Sequence, residues 1–174
     1  IDTDRTAGSG RRLLLPGRNA AVSAEDAWDY VVWAEGWTPG LYKVDAKGIP
    51  QKADASVKIV VDPAAQKVTV RVPKSAFPTW EPQKWSYLAV VMGQEGYPGL
   101  GVWRVRDVEA QNAQWRFGGA PADTNHTRII DVFLPADAAA TQEQLLSTYP
   151  GSQEKDMDKL TADDFAQLLM LRAQ

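Results

Sequence analysis

Three aromatic residues in proline- and glycine-rich stretches, Trp37, Trp80 and Tyr97, are the side chains of this chain best suited to hold a ligand. A flat ring offers a face for the C–H groups of a sugar, and adjacent carboxylates and amides can bond its hydroxyls. Each ring has such neighbours: Glu35 near Trp37, Glu81 and Gln83 after Trp80, Gln94 and Glu95 before Tyr97. The spacing therefore predicts a ligand site made of Trp37, Trp80, Glu81, Gln94, Glu95 and Tyr97. The other five of the seven tryptophans (Trp28, Trp33, Trp85, Trp103 and Trp115) lie in strand-like runs and read as core.

Two further sets could bind cofactors. Asp107, Asp123, Asn125 and Asp131 are hard oxygen ligands of the kind calcium takes, although no loop carries the spaced acids of an EF-hand; Asp107, Asp123 and Asp131 form the expected calcium set. Met92 and His126, the only histidine, are sound axial ligands for a b-type haem if a strand end and a loop bring them together. The alternative is that Asp131 bonds backbone amides at a strand edge and His126 sits in a solvated loop. A catalytic centre is not expected. There is no cysteine, no Gly-x-Ser-x-Gly elbow, no phosphate loop and no His-rich metal motif.

The elements that must position these residues read mainly as strands. Val57, Ile59 and Val61 alternate with Ser56, Lys58 and Val60; after Asp62-Pro63-Ala64-Ala65-Gln66, Val68, Val70 and Val72 alternate with Lys67, Thr69 and Arg71. That pattern predicts an antiparallel hairpin with its valines on a buried face. Further strands are expected at 13–15, 27–37, 85–92, 115–117 and 129–134, the fourth preceding a Gly-Gly kink and the last carrying a buried Asp131. Thr141 with Gln144 predicts a capped helix over 142–148. Thr161 with Asp164 predicts a second over 162–172, with an apolar stripe of Phe165, Leu168, Leu169 and Leu171. The reading is an antiparallel β-sandwich, of jelly-roll or immunoglobulin-like type, over residues 13–150. A flexible tail at 1–12 precedes it and a helical extension at 151–174 comes after it.

With 174 residues the chain is long enough for one substantial core. A net charge of −3 gives no basic footprint for nucleic acid, and no apolar stretch approaches the roughly 20 residues that span a bilayer. The start at Ile1 followed by IDTDRTAGSGRR suggests a processed or excised piece of a longer precursor.

The order of several pieces resembles the C-terminal domain of glucodextranases and some amylopullulanases, a DOMON-like β-sandwich of carbohydrate-binding-module type. The carriers are the hairpin VKIVVDPAAQKVTVRVPKSAF, the strand and glycine-bounded loop YLAVVMGQEGYPG, the kink of Trp115, Phe117, Gly118 and Gly119, the stretch from Asn125 to Pro135, and the segment from Gln142 to Tyr149. The resemblance implies a non-catalytic, secreted or cell-envelope module of bacterial type that binds an α-glucan or wall polysaccharide. A structural subunit of a surface-layer assembly, with envelope proteins as partners, is the alternative, and the haem domain a second.

Overall fold

The computed structural model describes residues 1–94, 105–134 and 136–172. Strands dominate, in several small sheets that among the described residues do not join into a closed sandwich. β1 (Ala20–Val22) is followed by a three-stranded antiparallel sheet of β2 (Tyr30–Trp33), β3 (Gly40–Val44) and β4 (Pro50–Lys52). Next comes the hairpin β5 (Lys58–Asp62) and β6 (Lys67–Arg71). The stretch expected as one strand at 85–92 breaks at Leu88-Ala89 into β7 (Ser86–Tyr87) and β8 (Val90–Met92). β9 (Asp107–Val108), β10 (Arg116–Phe117) and β11 (Ile129–Val132) come next, then the helix α1 (Gln142–Ser147), β12 (Ala166–Leu168) and β13 (Leu171–Arg172). β11 pairs antiparallel with β8 and β13 with β7, whereas β12 lies parallel to β1 and β10 parallel to β9.

The hairpin forms in the register its alternation dictates, Ile59 opposite Val70 and Val61 opposite Val68. Asp62 closes the turn by accepting from Ala65 N at 3.0 Å, and Gln66 takes a left-handed φ of 49°. Its burial differs from expectation. Only the base is covered, where Val57 and Val72 pack on the cluster of Tyr30, Leu41, Phe77 and Trp85. Val61 and Val68 near the tip are 62% and 63% exposed, because the hairpin outruns the core beneath it.

The helix at 142 forms with the expected capping box: Gln144 N donates to Thr141 Oγ1 at 3.2 Å and Thr141 N to Gln144 Oε1 at 2.8 Å. The expected second helix does not form. Thr161 and Asp164 close only a 3-10 turn, Ala162–Asp164, and the chain then extends. In place of an appended helix, Phe165, Ala166, Leu168 and Met170 enter the core, with Leu168 packed beside Ala20 and Ile129. Period-two burial beside the open edge of β1 outweighs the helical spacing of the leucines.

The N-terminal residues are likewise bound to the body rather than loose. Asp2 exchanges backbone hydrogen bonds with Ser86 (3.0 and 2.9 Å), and Arg11 does so with Trp28 (2.9 Å each). The chain passes Trp28 so closely that a Cβ on Gly10, at φ 69°, would lie 2.6 Å from the Trp28 carbonyl oxygen.

The strand geometry separates two adjacent leucines, 1% exposed at Leu168 and 41% at Leu169. In urea denaturation Leu168→Ala should cost about 2–5 kcal/mol, and Leu169→Ala at most about 0.5 kcal/mol. Equal losses would contradict the strand.

Candidate functional site

The broken sheets leave an apolar cleft of about 990 Å³ between β2 on one side and β7–β8 on the other, with Val70 and Val72 of the β6 segment also on its wall. That volume is at the upper end of what small-ligand sites use. One stretch of wall is a run of aromatic rings. Phe77 stands 4.9 Å from Tyr30, 5.0 Å from Trp85 and 5.6 Å from Trp80, ring centre to ring centre. Trp80 meets buried Trp85 edge to face at 5.3 Å. The proline-flanked loop thus holds Trp80 against a fixed backing while leaving it 41% exposed.

Polar groups reach the cleft from two segments. Glu35, in the turn after β2, accepts from Trp37 N at 2.9 Å, from Thr38 N and from Gln94 Nε2. The Gln94 bond ties the β2–β3 turn to the end of the β8 segment, and both Glu35 and Gln94 line the cleft. Burial pushes the Glu35 carboxyl up, but the bonds from Trp37, Thr38 and Gln94 more than offset it, so the net shift is downward.

Besides Arg71, Arg18 also lies on the wall. It is 2% exposed, donates from Nη1 to Pro16 O at 2.6 Å, and lies 4.4 Å from the ring centre of Trp33. Its Nη2 meets no hydrogen-bond partner among the described residues. Burial lowers its pKa to about 10, with Tyr42 opposing the shift and Arg128 adding to it, so it stays charged at neutral pH.

The expected site residues are only partly gathered. Trp80 and Gln94 line the cleft; Trp37 is exposed in the turn that Glu35 holds. Glu81 lines a separate recess of about 440 Å³ with Thr3, Asp4 and Lys84, and pairs with Lys84 at 2.6 Å. Glu95 and Tyr97, like Trp103, lie outside the described residues. Two tryptophans read as core are placed otherwise. Trp115 is 58% exposed, and Trp33 lines the cleft under the Arg18 guanidinium. The signal for Arg18 was weak, since Pro16-Gly17-Arg18-Asn19 reads as an ordinary polar turn.

Asp107, Asp123 and Asp131, the expected calcium set, form no close acidic group among the described residues. Asp107 pairs with Arg128 Nη2 at 2.6 Å, and the Asp123 carbonyl faces His126 Nδ1. Asp131 is exposed rather than buried, because a register shift between Ile129 and Asp131 turns it outward. Asn125 is fully buried and donates to Pro150 O at 2.7 Å and to Asp164 O, clamping two points of the chain beyond α1. Met92 pairs with Ile129 in the β8–β11 ladder. Both ring nitrogens of His126 face carbonyl oxygens, of Asp123 and Val108, so the arrangement presents no ring nitrogen to a haem iron.

A family model described as the C-terminal binding module, SLH-like, of glucodextranase matches residues 1–160. No curated protein and no solved structure matches the chain significantly.

Because Glu35 is bonded as a carboxylate, its contribution is complete above the ordinary value of 4.5 and is lost as pH falls through its lowered folded value. Melting temperature should therefore drop on acidification below about pH 4.5, with Glu35→Gln less steep by about 1–3 °C. Identical profiles for the two proteins would show that the clamp contributes nothing.

Proposed function

Because the chain belongs to the family of SLH-like C-terminal binding modules of glucodextranase, we propose that it is a non-catalytic module that holds a polysaccharide, an α-glucan or wall polymer, in the β2/β7–β8 cleft. Its place is outside a bacterial cell, secreted or on the cell envelope, where it anchors or targets what it is attached to. The observation that carries the reading is Trp80, a half-exposed ring braced edge-on by buried Trp85 at an apolar cleft. A ring fixed in this way stacks on a pyranose face with little ordering cost. Gln94 and Glu35 offer an amide and a carboxylate to hydroxyls. The family is one of binding modules, in keeping with binding rather than turnover.

A second reading, a structural subunit of an envelope assembly, is favoured by the exposed apolar side chains of Val61, Val68, Trp115 and Phe133. Surfaces of this kind serve protein contacts as readily as ligands. Size-exclusion of native extracts separates the readings, since a subunit elutes within a large complex.

Titration calorimetry with dextran, soluble α-glucan and wall polymer should show binding by at least one. Trp80→Ala should weaken it about tenfold, equivalent to about 1.4 kcal/mol. Flat titrations across all three polymers would sink the carbohydrate role.

A further inference from the structure

Three carboxylates converge beside the N-terminal strand pairing: Asp2, Asp4 and Asp29 each place an oxygen within 4.8 Å of the others. Asp2 is 1% exposed, Asp29 half-buried and Asp4 at the surface. One oxygen of each is already held by the chain. Asp2 Oδ1 accepts from Asp4 N at 3.1 Å and Arg5 N at 2.8 Å. Asp4 Oδ1 accepts from Thr6 N and Ser9 Oγ, both at 2.8 Å. Asp29 Oδ2 accepts from Thr3 N at 2.8 Å and Thr3 Oγ1 at 2.6 Å. These bonds fix the three groups while leaving each a second oxygen.

An independent observation points into the same place. Ser86 is fully buried and faces Asp2 across an antiparallel bridge, so the two side chains leave the same side of the ladder. The Ser86 hydroxyl has no hydrogen-bond partner, and neither has Asp2 Oδ2. Two buried oxygens on one side of one bridge, both unsatisfied and not bonded to each other, lack a partner that a protein normally supplies.

No lysine or arginine forms an ion pair with any of the three acids among the described residues. The Ile1 amino group is near Asp29 and Asp2, but it donates to Tyr30 O at 2.9 Å. It forms no ion pair with any of the three. In a longer polypeptide it would be an uncharged amide. What is missing is a positive charge that takes only oxygen ligands.

We propose that Asp2, Asp4 and Asp29 bind a calcium ion, with the Ser86 hydroxyl as the neutral oxygen on its buried side. Calcium suits the set better than magnesium, because it accepts irregular all-oxygen geometry and several carboxylates, whereas magnesium demands a near-ideal octahedron. The site is separate from Asp107, Asp123 and Asp131, and it does not depend on what the cleft holds. Its ligands come from the N-terminal stretch, the residue before β2, and β7. Loading would therefore cross-link the segments that carry Tyr30, Trp85 and Tyr87 of the aromatic wall.

The test uses the full chain, stripped with EDTA and dialysed, then titrated with calcium chloride by calorimetry and monitored by thermal melting. One ion per chain is expected, with a melting temperature about 5–10 °C higher at a hundredfold excess over Kd. Asp2→Asn risks unfolding the N-terminal pairing, so surface Asp4→Asn is the main variant. It should weaken calcium binding about tenfold, since affinity tracks the number of charged ligands, and leave the metal-free melting temperature unchanged or higher. Asp123→Asn, a control from the Asp107, Asp123 and Asp131 set, should bind as the unaltered chain does. Absence of both heat and melting shift in the unaltered chain would overturn the proposal, as would equal affinity in Asp4→Asn. Polymer binding by the stripped protein is read separately, so losing one activity does not decide the other.

Discussion

β1 has no solvent face. Ala20, Ala21 and Val22 are all buried, and the strand is hydrogen-bonded along both edges. On one side Leu14 N donates to Ala20 O and Val22 N to Arg12 O; on the other β12 runs parallel from Ala166 to Leu168. A strand so placed must be apolar on both faces, and small side chains let both neighbours approach. Val22 packs with Leu15, Trp28 and Met170, and Ala20 with Ile129 and Leu168. The first and last thirds of the chain are thus stitched together at three residues, and the middle third is arranged around that seam.

The cleft is a product of this arrangement. The three-stranded sheet stands on one flank of the seam and the split β7–β8 segment on the other, each half of that segment with its own edge partner, β13 for β7 and β11 for β8. With β7 paired to β13 and β8 to β11, the two layers remain separate sheets among the described residues. The space between them is lined by rings too large to interdigitate fully. A protein that lacks complete closure carries apolar surface it would otherwise bury, and Trp80 is where that surface meets water.

Legibility in the sequence depended on whether a signal was local. The capping box at Thr141 announced α1 correctly, since its two hydrogen bonds lie within four residues. The same signal at Thr161 was also real, but it specifies only a first turn. The extended course of residues 166–168 is decided by the distant β1 edge, which no local period reports. Hairpin register was legible and hairpin burial was not, because alternation fixes which residues share a face but not what lies opposite. Trp80 could be picked out because prolines flank it. Arg18 could not, and Asp2, Asp4 and Asp29 could not either, for their meeting is made by backbone pairing between segments that look unrelated in sequence. Asp131 was misjudged through a one-residue register shift, which reverses a side chain's direction.

The parallel seam between β1 and β12 has a consequence for how the molecule comes into being. A growing chain delivers β1 long before its edge partner, since Ala20 pairs with Ala166, so the seam cannot close until everything between them has been made. The meander β2–β3–β4 and the β5–β6 hairpin need only neighbouring residues and can form as they emerge. The open edge at Ala20–Val22 is meanwhile an unpaired apolar template, the kind of surface that recruits another chain. Final assembly is therefore a single late event that waits on long-range loop closure. Such a polypeptide stays unfinished, and so threadable, until β12 has emerged to meet β1.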